Sequence, residues 1–238
     1  MKILNQLIAL TFAFSFAVDA EATQTTLIGT SFDLIYDTSL TGLFGAPILS
    51  GNTVFFTPIN YKAESLNGNG VVSANSTVSL ELIAKNGNVF DNFALVESGD
   101  YKLIGAGSAV SVGGQTRVLD GANPLNNAVA SIISTDNFGI FNSSIVDPTT
   151  HNWNSNSNIS LLDPKFDHTT HVFYTIENLL TAYTEPSTVG PRQAFIEKKF
   201  AGSAISLIVT AVPEPETYAM MMIGLGLISV VRRKSTLV

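Results

Sequence analysis

His168 and His171 stand three residues apart, with Asp163 and Asp167 just upstream and Asp147 and His151 beyond them. Imidazole and carboxylate together suit zinc or another divalent ion. On a strand, residues i and i+3 point to opposite faces, so only a bend or loop would bring both rings to one ion. The helical His-Glu-x-x-His pattern is absent. Asp147, Asp163 and Asp167, with the asparagines near them, offer a second reading as a structural Ca²⁺ site, because Ca²⁺ takes about six to eight oxygens. No Asp-x-Asp-x-Asp-Gly loop is present to support it. The plainer readings are ordinary strand or loop histidines and a solvated polar loop, and the expectation is no cofactor.

Other chemistries find less. The chain has no cysteine, which removes thiol catalysis and thiolate metal sites. There is no Gly-x-Ser-x-Gly elbow. The glycine-rich "GAGSAVSVGG" lacks the lysine of a phosphate loop and reads as a hairpin. Paired carboxylates for glycoside hydrolysis cannot be chosen from so many acids. Trp153, Tyr174 and Tyr183 suggest a sugar-stacking platform, the alternative being a tryptophan that only pins its loop. With 12 Lys and Arg against 19 Asp and Glu, the net charge is −7. Nucleic acid is therefore a poor partner, since its phosphates need a basic patch.

The elements that would position these groups read as pleated. "TSFDLIYD" puts Phe32, Leu34 and Tyr36 on one face, and "STVSLELIAK" does the same for Val78, Leu80 and Leu82. "NTVFFTP" is a further strand ended by Pro58. Turn signals follow at short spacing: "NGNG" at 67–70, "NGN" at 86–88, "SGD" at 98–100, "GAG" at 105–107, "VGG" at 112–114 and "DGANP" at 120–124. "HTTHVFYTIENLL" is a late strand, and "RQAFIEKKF" with "AGSAISLIVTAV" reads as a closing hairpin. Residues 123–134 are the best helix candidate, and 142–165 reads as a long polar surface loop. The expected fold is all-β, an antiparallel, jelly-roll-like β-sandwich.

Both ends read as processing segments. Lys2 precedes an apolar run to Val18, and Ala20-Glu21-Ala22 supplies the small-x-small site at which signal peptidase cuts. Residues 1–22 are expected to be a signal helix, 23–211 the sandwich, and 212–236 a sorting and anchor segment. In the last, Tyr218 to Val231 is uncharged and Arg232, Arg233 and Lys234 follow. As a helix this stretch is about 21 Å long against a hydrocarbon core of about 30 Å, with cationic arms able to reach the interface. A single transmembrane helix is expected, its basic end cytoplasmic and the sandwich exported across the inner membrane. Pro213 and Pro215 are expected to stop the last strand and leave an extended, accessible segment.

"VPEP" at 212–215, "GLGL" at 224–227 and "RRK" at 232–234 resemble the PEP-CTERM domain of Gram-negative bacteria. Glu216 departs from the small residue usual there. The resemblance implies recognition of Pro213, Glu214 and Pro215 by an exosortase, removal of the helix, and delivery to the cell surface or extracellular matrix alongside exopolysaccharide. Residues 36–58 and 194–215 resemble, more weakly, the sandwich domains of such proteins. The reading is an exported, non-enzymatic structural or adhesive protein; the alternative is a carbohydrate-binding module or carbohydrate-active enzyme with the same tag.

Overall fold

The structure, a computed structural model, describes residues 23–136, 138, 149–186, 190–199, 204–214, 218 and 220–228. The signal site at Ala20 and Ala22, together with Asp147, Pro215, Arg232, Arg233 and Lys234, lies outside the described residues.

The strands are β1 (Gln24–Ile28), β2 (Phe32–Asp37), β3 (Pro47–Ser50), β4 (Thr53–Phe56), β5 (Lys62–Leu66), β6 (Gly70–Ala84), β7 (Asn88–Ile104), β8 (Ser108–Asp120), β9 (Asn127–Ser131), β10 (Ile133–Ser134), β11 (His151–Ser160), β12 (His171–Thr184), β13 (Gln193–Glu197) and β14 (Ile205–Pro213). One sheet has the order β1-β2-β6-β12-β8-β9. The other runs β10-β11-β7-β14-β4-β3, with β13 joining β5 to β7. Among the described residues every ladder is antiparallel and the strands close no barrel. The all-β, antiparallel expectation agrees with this.

The two sheets face each other across an aromatic core. Phe93 of β7 stacks on Tyr174 of β12 with centroids 5.1 Å apart, and Phe32 of β2 meets Phe90 of β7 edge-on at 6.1 Å. The alternation read from sequence holds: Phe32, Leu34 and Tyr36 are buried, as are Val78, Leu80 and Leu82. Each such side chain removed from water contributes about 1.5–3 kcal/mol. Asn86 and Gly87, both at positive φ, make the β6–β7 turn that the Asn-Gly pair predicts.

Several expectations are corrected. Residues 123–134 hold β9 and β10, not a helix; β9 pairs with β8 across the "DGANP" turn. Part of the supposed polar loop is β11. Its alternate residues Trp153, Ser155, Ser157 and Ile159 are buried, and the two serines find hydroxyl and carboxylate partners inside. The glycines of "SGD" and "VGG" lie within β7 and β8 instead of in turns. The closing hairpin is absent, because β13 and β14 do not pair with each other. They lie end to end along the same edge of β7. Residues 218 and 220–228 are helical, and among the described residues no helix is long and apolar enough to cross a membrane.

Candidate functional site

The C-terminal segment leaves the core along β14. Beyond a register shift at Thr210 and Ala211, Val212 stands opposite Val89 and Pro213 opposite Asn88. The Glu214 amide then donates to the Gly87 carbonyl at 3.0 Å. Pro213 thus does not stop the strand but forms its last rung. This is tolerated because proline's missing N–H matters least at a strand end that β4, paired only as far as Ile208, does not reach. Pro213 is therefore not part of the expected free, extended segment, and Pro215 lies outside the described residues.

Next to this rung lies a groove of about 660 Å³ with Phe90, Leu161, Phe166, Pro213 and Tyr218 in its lining. Asp163, Asp167 and His168 also line it. Their side chains are occupied locally. Asp163 accepts from the Lys165 amide at 3.1 Å, capping a short turn that buries Phe166. Asp167 lies 3.4 Å from His168, whose backbone is left-handed. His171 is not drawn in with them: it opens β12 and lies 2.8 Å from Glu81. Among the described residues there is no group of three or more His, Cys, Asp or Glu able to hold a metal ion.

Trp153 is wholly buried, its ring against Gly99 and its Nε1 donating to the Glu197 carbonyl at 3.1 Å. Tyr174 is equally buried. The expected sugar platform has no open face on either ring. Tyr183, half-buried, stands apart from them on β12.

A second centre sits between the sheets, and sequence reading missed it. Lys198 Nζ lies 2.6 Å from Glu97 Oε2, and neither side chain is exposed at all. The Asn178 amide donates to Glu97 Oε1, and Ser155 donates to Glu97 Oε2 at 2.9 Å. The rings of Tyr61 and Trp153 flank the ammonium at 5.4 and 5.2 Å. Tyr61 donates its hydroxyl to the Asn178 backbone carbonyl at 2.7 Å. Burial pushes Lys198 below the usual lysine range, with the Glu97 charge opposing the shift. Burial, reinforced by the Glu97 charge, holds the Tyr61 and Tyr174 hydroxyls well above the usual tyrosine range. One signal was available: Glu97 continues the inward face of Phe93 and Leu95, and Lys198 that of Ala194 and Ile196. A charge at a period-2 core position needs a buried partner.

Residues 211–235 match the PEP-CTERM protein-sorting motif. This chain carries an exosortase sorting signal. The PEP-CTERM motif marks an exported protein that is membrane-anchored before an exosortase processes it. No curated protein matches the chain. Among solved structures, the adhesin domain of Epf from Streptococcus pyogenes aligns at 10% identity, covering 81% of this chain and 59% of that one, with a TM-score of 0.22. The infectious bursal disease virus Gt strain structure aligns at 12% identity, covering 77% and 53%, with a TM-score of 0.15. The chain thus spans little more than half the length of these structures, and at such scores the likeness carries no argument.

Proposed function

We propose that the protein is a non-enzymatic structural or adhesive component of the cell surface or extracellular matrix, associated with exopolysaccharide. Its precursor spans the inner membrane through the C-terminal apolar segment, and signal peptidase frees its N-terminus after Ala22. The core is a jelly-roll-like sandwich displayed outside the cell. The observation that carries the reading is the sorting motif joined without a linker to the last strand of a two-sheet core. A tag that enters the sheet directly delivers the whole core as cargo. The carbohydrate-binding alternative loses its aromatic platform, since Trp153 and Tyr174 are inside.

Intact mass of the protein from cells and medium, with and without the exosortase, tests the delivery. Both end segments should be gone from the secreted form only when the exosortase is present. A secreted chain that still carries Arg232, Arg233 and Lys234 would refute it. For the role, a strain lacking the protein should aggregate less and retain less exopolysaccharide; unchanged aggregation and retention count against a matrix role.

A further inference from the structure

We infer that Lys198 and Asn178 join in an intramolecular isopeptide bond, with Glu97 as the proton shuttle. The three side chains meet in one buried place. Glu97 holds the Lys198 amine on one carboxylate oxygen and the Asn178 amide on the other, so nucleophile and electrophile are neighbours across a single carboxylate. Among the described residues, Asn178 Oδ1 has no hydrogen-bond partner although it is buried. An amide oxygen left unpaired in a dry core is costly, and a donor is expected for it.

The chemistry balances without any further reagent. Glu97 takes one proton from the Lys198 ammonium and leaves a neutral amine with a free lone pair. That amine attacks Cγ of Asn178, forming the new C–N bond. The attacking nitrogen gives up one more proton, which Glu97 relays to the departing amide nitrogen. The Cγ–Nδ2 bond then breaks and ammonia leaves. Glu97 keeps the first proton as a neutral acid able to donate to the new amide oxygen, and nothing is oxidised or reduced.

The surroundings favour each step. Lys198 is wholly buried beneath Tyr61 and Trp153, so water that would solvate the ammonium is excluded. Burial drives the amine toward the neutral, nucleophilic form. An amide is a poor electrophile in solution, but a fixed neighbour acts at effective molarities of about 10⁵–10⁸ M. The product also replaces a buried ion pair, whose desolvation is expensive, with neutral groups. Asn178 belongs to β12 in one sheet, and Lys198 follows β13 in the other. The bond would staple the two layers covalently in a chain that has no cysteine for a disulfide.

Trypsin mapping of the folded full-length chain decides the matter. The expected result is a branched peptide joining residues 166–192 to 193–199, uncut at Lys198, with the intact chain lighter by one ammonia. Separate linear peptides carrying unmodified Asn178 and Lys198, or ammonia loss without the branch, overturn the proposal. Lys198→Arg keeps the charge but not the nucleophile, and should restore the full mass and slow migration in denaturing gels. A Glu97→Gln chain that folds and still yields the branch removes Glu97 from its role.

Discussion

Trp153 lies over Gly99, its partner across the β11–β7 ladder, so closely that a methyl group there would stand 2.7 Å from the ring. The same methyl would stand 1.9 Å from the Glu197 carbonyl, the oxygen that accepts the indole N–H. Gly99→Ala therefore has to displace backbone as well as ring. Overpacking of this kind costs about 1–3 kcal/mol. Urea unfolding should show a midpoint lowered accordingly, and an unchanged midpoint would contradict this packing.

Gly113 and Gly114 are adjacent in β8 and should respond oppositely. A methyl on Gly113 meets nothing within 4 Å. Gly113→Ala should leave stability unchanged or raise it by about 0.4–1 kcal/mol, by restricting the unfolded chain. Gly114 has φ 135 and a methyl there would lie 2.1 Å from the Glu177 carbonyl. Strain of that type costs about 1–3 kcal/mol. Thermal unfolding of the two variants side by side checks the contrast.

These glycines also show what the sequence could and could not convey. Where apolar and polar residues alternate, as in β2 and the second half of β6, the strand and its inward face were both legible, because period-2 burial needs only local pattern. In β11 the inward positions include Ser155 and Ser157, whose burial is satisfied by Glu97 and Thr116 from strands distant in sequence. No local pattern announces such partners. Gly99 and Gly114 resembled turns for the same reason: what requires them is a neighbour's ring or carbonyl. Pro213 was misread because proline ends most strands yet is tolerated on a last rung. The sorting signal was legible since its recognition depends on linear order, whereas the Glu97 centre assembles from β7, β11, β12 and the segment after β13.

Two of the six tyrosines should resist ionisation in the folded protein. Tyr61 and Tyr174 have hydroxyls that burial raises above the ordinary tyrosine pKa of about 10. Below that pH both states hold these protons, and the stabilisation is fully present. Above it, the unfolded chain releases protons that the folded chain retains, so stability falls as pH rises. Ultraviolet titration of phenolate should show two tyrosines appearing only with unfolding, and denaturant midpoints should drop beyond about pH 10. Titration of all six before unfolding would contradict their burial.

The position of Pro213 bears on where the chain is cut. Val209 donates its amide to Asn52, while the backbone after Thr210 is held along β7, up to the rung of Pro213 with Asn88 and the Glu214 contact to Gly87. A processing enzyme binds extended, unpaired backbone, and cleavage at or before Ala211 would require stripping these rungs from a formed sheet. Release is expected beyond the Glu214 contact, leaving β14 whole, so the mature chain should still contain Val212, Pro213 and Glu214. Mass spectrometry of the C-terminal peptide of the secreted form reads this directly. Moving the intact motif outward with a short Gly-Ser insert between Val212 and Pro213 should move the cut with it, because the sheet would still protect everything upstream. A mature end at Ala211 or earlier would mean that the enzyme meets β14 before it has paired with β7.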